Sequence, residues 1–434
     1  MVISVSLIIL AIGALVFAAH FFAWLFSFTA IPDVLLLMLV GLVIGVWVSP
    51  DFFGQFGDVV LIITLVVMLF ESGTKLQASV LRNALSGTTR LVLASFILSV
   101  LGIGALVWLV TSLPLMVSLM VGAMLGGTSS AVVIPLLDRL QVASTSRALL
   151  ILESAFSDVL AIVVTIALLG VVTTGNVSFA GVTILTIISF VYAGLFGIVS
   201  GFIWSLLLDQ VRHIRNSMFV TLAFVFILYG VVEAIGFPGP IAALVFGIML
   251  GNSGPLKQRL SAAHPVMRWL INPVVLSRRE RAFFSEIVFL LQTFFFIFVG
   301  LSIEAANLRV VVIALGVAAA LLVIRYAAVR LTLPRATGVW EASYAAVMIP
   351  RGLAAAVLAA LVVQKNIPDA VFILDLTYGV VLWSIALTSV FVFLISKTSL
   401  RTTYARLLAG FGVPPPQQPQ QSPQQSPQQP PQLN

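Results

Sequence analysis

The sequence contains no cysteine, which excludes disulfide cross-links, thiolate nucleophiles and Cys-type zinc sites from its 434 residues. Histidine is almost as scarce. His20, His213 and His264 lie far apart and no HExxH pattern occurs, so zinc hydrolysis has no scaffold here. Charge is scarce too: 9% of residues are charged, where a soluble domain carries about 25%. Apolar side chains fill the gap, at 61% of the chain with a mean hydropathy of +1.18. That composition belongs in a lipid bilayer. The net charge of +7 therefore reports topology, and nucleic acid is not an expected partner.

The first 26 residues, MVISVSLIILAIGALVFAAHFFAWLF, have no basic leader and no small-residue cleavage site. They read as a retained first span. The other end, from about 413 to 434, is a Pro/Gln/Ser tract that cannot bury a core and reads as a disordered tail. Two regions follow: a membrane domain over 1–400 and a tail over 401–434.

A crossing helix needs about 20 apolar residues. Thirteen stretches qualify, near 3–27, 32–48, 57–73, 88–110, 114–138, 145–173, 179–207, 217–233, 237–252, 283–303, 308–332, 337–364 and 369–396. Pro238 and Pro240 make the eighth-to-ninth boundary the weakest of these. Lysine and arginine test the count. All of them fall in alternate loops except Arg309, Lys365, Arg325 and Arg351. Thirteen spans in a cell membrane, with the N-terminus outside and the C-terminus cytoplasmic, satisfy the positive-inside rule.

Ionisable groups inside spans mark pathways more often than accidents. Glu71, Glu153, Asp158 and Arg351 stand out, while Arg325, five residues before Arg330, reads as snorkelling to the surface. In ILESAFSDVLAIVV (151–164), Ser154 and Asp158 share one helical face and Glu153 lies on another. Arg351 is the basic group at similar depth, so Glu153 and Arg351 are expected to pair, because a lone buried charge is costly. Asp158 is left without a basic partner. A carboxylate and hydroxyl at mid-span suit a hard cation such as Na⁺, or a proton.

Two spans look interrupted. MLGGTSSAVVIPLL (124–137) places Gly126, Gly127, Thr128, Ser129 and Ser130 at mid-depth of the fifth, and AVMIPRGLAAAV (346–357) places Pro350, Arg351 and Gly352 at mid-depth of the twelfth. Glycine opens backbone and proline removes a helix bond. The clusters stand seven spans apart, so six-span repeats running one to six and eight to thirteen make them equivalent and oppositely oriented. Paired broken helices in inverted repeats point to a secondary-transport site. The expected fold is all-α and polytopic.

At these residues the sequence resembles the monovalent cation:proton antiporter superfamily, in particular its sodium/proton exchanger branch. The branch carries Glu-Ser-x-x-x-Asp on its sixth span, matched by Glu153, Ser154 and Asp158. It ends its third span in a Phe-Glu-x-Gly-like sequence, matched by Phe70, Glu71 and Gly73. It places an arginine-glycine pair in the twelfth, matched by Arg351 and Gly352, and FFFIFVGLSI (294–303) is similar to its tenth span. Two positions depart from the pattern: Ser157 stands where the electroneutral branch has Asn, and Ser129-Ser130 follow Thr128 where Asp is usual.

The resemblance covers about residues 1–400. It implies a homodimer and a core that moves like an elevator against a fixed dimerisation domain. Asp158 would bind one cation or one proton, with Ser154, Thr128 and the backbone around Ser129 completing an oxygen shell. Glu71 would assist or serve a structural hydrogen bond. The cargo is Na⁺, with K⁺ and Li⁺ open, against H⁺, and no prosthetic cofactor is expected. A cation channel or receptor on the same fold would want a continuous polar lining. An intramembrane protease would want Ser/His or paired-Asp chemistry, and no histidine is placed with a mid-span serine.

Overall fold

The computed structural model describes residues 5–29, 31–48, 54–75, 88–140, 142–174, 179–212, 217–253, 276–304, 307–397 and 400–412. The tract from 413, His213, His264 and the basic loop residues Arg82, Arg215, Lys257, Arg259 and Arg268 lie outside them. Among the described residues the regular elements are helices, joined by turns and loops, with a single isolated bridge between Ala409 and Phe411. In chain order the helices are α1 (Val5–Thr29), α2 (Asp33–Gly45), α3 (Gly54–Lys75), α4 (Thr88–Val110), α5 (Leu115–Met124), α6 (Ser130–Arg139), α7 (Ser144–Thr174) and α8 (Phe179–Arg212). Then follow α9 (Ser217–Ala234), α10 (Gly239–Gly251), α11 (Arg278–Leu301), α12 (Leu308–Thr332), α13 (Val339–Val347), α14 (Leu353–Gln364), α15 (Ala370–Lys397) and α16 (Leu400–Leu407).

Six of these segments have both the length and the apolarity to cross a bilayer: Arg90–Val110, Thr145–Thr173, Ile188–Leu208, Arg278–Leu301, Leu308–Thr332 and Ala370–Lys397. Their outward faces are apolar, as lipid requires. Val191 and Leu195 on α8 and Val312 and Val323 on α12 are exposed. The boundary at Pro238 is a real one. Helix α9 ends at Ala234, Gly236 turns the chain at φ +90°, and Pro240 enters the first turn of α10, where its missing N–H removes no helix bond.

Helices pack through two large apolar clusters and a small one around Phe96, Ala123 and Ala161. One is built from α3, α8, α9, α10 and the start of α11, with Trp204 stacked on Phe224 at 4.2 Å and Phe70 edge-on to Phe284 at 5.1 Å. The other large cluster runs through α1 to α7 and α11 to α15. Two seams require glycine. A Cβ on Gly41 or Gly300 would run into the facing backbone of α11 or α2, and one on Gly73 or Gly247 into that of α10 or α3. Without water to drive helices together, such close backbone approach holds them by dispersion.

The two stretches read as interruptions do leave the helix. α5 stops at Met124 and α6 starts at Ser130; α13 stops at Val347 and α14 starts at Leu353. Both gaps are buried, which is tolerable only because each serves as the other's partner, as described next.

Candidate functional site

The backbone opened by Gly126 and Gly127 lies against the backbone opened by Pro350 and Gly352. Ser129 N donates to Pro350 O at 2.8 Å, joining the two gaps directly. Gly352 leaves room for Ser129: a Cβ there would fall on the Ser129 hydroxyl. Arg351 completes the junction. Its Nη1 donates to Gly126 O at 3.1 Å and Gly127 O at 2.6 Å, carbonyls that the end of α5 leaves without helical partners. Arg351 N donates to the Ser384 hydroxyl of α15 at 2.9 Å. A guanidinium at the negative end of a half-helix is electrostatically favourable.

Helix α7 closes the site from the side. The Ser154 hydroxyl donates to Thr128 O at 2.6 Å, Thr128 N donates to the Ser157 hydroxyl at 3.0 Å, and the Thr128 and Ser157 hydroxyls are 3.1 Å apart. Ser157 also donates to Ser154 O at 3.1 Å. The hydroxyls of Ser154, Ser157 and Thr128 are thus gathered around the Thr128 backbone, near Asp158. A Cβ on Gly127 would stand 3.0 Å from Asp158 Oδ1. Asp158 is partly exposed, and its carboxylate has no hydrogen bond or ion pair in the described structure; Arg351 is the cation whose charge reaches it.

Glu153 contradicts the expectation set for it. It pairs with Arg325, not with Arg351. Arg325 Nη1 bonds Glu153 Oε1, and Nη2 donates to Oε2 at 2.7 Å. Arg325 also donates to Ala345 O at 2.8 Å and the Ser95 hydroxyl at 3.1 Å. Both side chains are buried, at 3% and 2% exposure. The snorkelling expectation for Arg325 falls with it. One turn before Arg330, residue 325 faces inward between α4, α7 and α13, where its planar fork matches a carboxylate. Arg351 is instead held by the Gly126 and Gly127 carbonyls of the break after α5.

Glu71, at the end of α3, is buried and pairs with Lys75 one turn on. Ser130 heads α6, and the Ser129 side chain turns toward Gly352. Sequence reasoning noted Ser157 only as a departure from the family's Asn and did not place it in the oxygen shell, although it lies three residues from Ser154 and so on a neighbouring part of the helix.

A cavity of about 570 Å³ borders α3, α7 and α14. Leu61 and Leu65 of α3, Ile162 and Ile166 of α7 and Leu358 of α14 line it, with Glu233 and Lys365 among its polar residues. Ile162 is one helical turn beyond Asp158. Among the described residues no group of three or more His, Cys, Asp or Glu could hold a resident metal. The oxygens at Asp158 could hold a weakly bound monovalent ion or a proton.

The family model described as sodium/hydrogen exchanger, transmembrane, matches residues 16–398. A Na⁺/H⁺ antiporter of Aphanothece halophytica is 31% identical over 231 residues, which cover 52% of this chain and 44% of its own length. A low-affinity Na⁺/H⁺ antiporter of Synechocystis sp. is 26% identical over 408 residues, 87% of this chain and 73% of that protein. The solved structure of a sodium proton antiporter from Methanocaldococcus jannaschii at pH 8 superposes with a TM-score of 0.68 at 23% identity, covering 88% of this chain and 99% of that one. The fold is shared.

Proposed function

The chain belongs to the sodium/hydrogen exchanger family of multi-pass membrane proteins, and from that premise we propose that it exchanges a monovalent cation for H⁺. Na⁺ is the first cargo, as in the names of its relatives, with K⁺ and Li⁺ as alternatives. One observation carries this reading. Asp158 is a carboxylate within a membrane span that no group of the described structure bonds, beside oxygens drawn together from two elements.

Asp158 takes one cation or one proton, and either load neutralises it. An uncompensated charge is costly to move through a bilayer, so the unloaded carboxylate does not cross and exchange is obligatory. Thr128 and Ser154 supply neutral oxygens to the cation, with the backbone near Ser129. Gly126, Gly127, Ser130, Pro350 and Gly352 keep the backbone open, and Arg351 balances the carbonyls exposed by that opening. Glu153 keeps its charge locked to Arg325 and takes no part in carriage. Glu71 is an accessory acid.

With one travelling carboxylate, exchange is one-for-one and electroneutral. It proceeds by elevator-like movement in a homodimer, through thirteen crossings in two inverted repeats, with the N-terminus outside. The exchanger family and the concentration of polar groups at one depth disfavour a channel or receptor. The test is exchange by purified protein in proteoliposomes carrying a pH dye, with Na⁺, K⁺ and Li⁺ added in turn. No cation-dependent proton movement would refute the assignment.

A further inference from the structure

Far from Asp158, a second carboxylate joins the starts of the two helices that lead to the site. Glu341 lies in the first turn of α13. Its Oε1 accepts from Ala143 N at 2.9 Å, immediately before α7, and its Oε2 accepts from the Ser146 hydroxyl at 2.8 Å. The same Oε2 accepts from Gly338 N, immediately before α13, at 3.3 Å. One side chain therefore caps its own helix and a neighbour's, satisfying N–H groups that a helix start leaves open.

Deeper along the same two helices Arg325 bonds both Glu153 of α7 and Ala345 O of α13; at their starts, among the described residues, Glu341 is the side chain that bonds both. A cavity of about 410 Å³ lies beside Glu341, lined by Ser146, Leu149 and Leu150 of α7 and by Leu333, Pro334 and Ala345. Where apolar packing is hollow, the register depends on polar bonds. The loop into α13 is held from its other side: Gly412 N donates to Arg335 O at 2.8 Å and Thr337 O at 2.9 Å, and Arg335 covers the Phe411 ring at 4.9 Å. The start of α13 is thus fixed while that of α7 is tied to it through Glu341.

The register matters because of what each helix carries. Ser154 and Asp158 ride on α7. Helix α13 leads into Pro350 and Arg351, which hold the Gly126–Ser129 backbone and hence the oxygens of Thr128. Sliding α7 against α13 would change the distance between the two halves of the oxygen shell. We propose that Glu341 is a positioning residue for exchange, setting the spacing of the cation's ligands from a distance. This rests on Asp158 being the carrier.

The chain has no native cysteine, so spin labels can be placed at will. Ala148→Cys on α7 and Ala336→Cys before α13 are both exposed positions, and pulsed electron resonance between them reads the register without any transport. A narrow distance distribution is expected for the otherwise wild-type protein and a broadened or shifted one for Glu341→Ala, with Glu341→Gln intermediate because one acceptor remains. In proteoliposomes Glu341→Ala should raise the half-saturating Na⁺ about tenfold and change the Na⁺:K⁺:Li⁺ preference, while the maximal rate per folded protein holds within about twofold, since ångström-scale misplacement of ligands is felt that strongly. A residue that only stabilises the fold would lower the melting temperature and leave half-saturation and preference alone.

Unchanged half-saturation and preference in Glu341→Ala, or in Glu341→Gln should the alanine variant not fold, overturn the proposal. So does an unchanged spin-label distance. Absence of exchange by the wild-type protein would instead refute the carrier reading, and the resonance arm would still report whether Glu341 sets the register.

Discussion

Arg325 and Glu153 form a two-bond ion pair with both side chains almost fully enclosed, on α12 and α7 respectively. The pair disposes of a charge that would otherwise compete with Asp158, five residues along the same helix. It also leaves Arg351 to the carbonyls of the broken span. Of the two acids on α7, Glu153 is held in a fork and Asp158 is unbonded.

Removing one member of the Glu153–Arg325 pair leaves a buried, uncompensated charge. Glu153→Ala and Arg325→Ala should each destabilise the protein by about 3–5 kcal/mol. The double variant should lose less than the sum, as contacting residues do. Unfolding in detergent measures it. Glu153→Ala combined with Arg351→Ala should come closer to additivity.

Asp158→Asn should abolish exchange in a monodisperse, normally folded protein. The amide keeps the side chain's shape but neither carries the proton nor balances the cation. Because Asp158 makes no hydrogen bond in the described structure, thermal stability should not fall. Wild-type-like exchange by this variant would remove Asp158 from the carrier role.

Ser157 gathers the Thr128 peptide to α7. Ser157→Ala leaves Thr128 N unbonded at a buried position, which costs about 1–3 kcal/mol. Half-saturating Na⁺ should rise because the shell loosens. Gly352→Ala should be worse, since its Cβ would occupy the place of the Ser129 hydroxyl. Melting temperature and cation titration on both variants check the order.

The legible parts of this protein follow from local rules. Glycine and proline clusters located both helix breaks, because backbone opening is encoded in a few adjacent residues. Helical spacing put Ser154 and Asp158 on one face for the same reason. Pairing across helices was not legible: whether Arg325 or Arg351 meets Glu153 depends on how α12 and the break between α13 and α14 are oriented, which no single-helix pattern carries. Residue 325 lay close enough to a basic helix end to pass for a snorkelling side chain. Glu341 sits at a helix start, where an acid is favoured by the helix dipole anyway, so nothing marked its reach to α7.

Stoichiometry separates the proposed mechanism from its neighbours. A cycle that moves one net charge gains about 2.3 kcal/mol per 100 mV, roughly a fiftyfold change in the gradient sustained at equilibrium. A one-for-one cycle on Asp158 gains nothing. Imposing a potassium diffusion potential on sealed proteoliposomes should therefore leave the Na⁺-driven pH change unaltered, and collapsing the potential should leave the initial rate unaltered. When K⁺ is itself transported, a lipophilic cation can set the potential instead. The half-saturating Na⁺ should rise as pH falls, because protons and cations compete for one carboxylate: the protonated form accumulates on acidification and must be displaced before a cation binds. Glu71 is the group that could break this, as a second acid paired with exposed Lys75. If a potential alone drives protons against a cation gradient, Glu71→Gln should restore voltage independence, and a voltage response that survives that substitution rejects one-for-one exchange on Asp158.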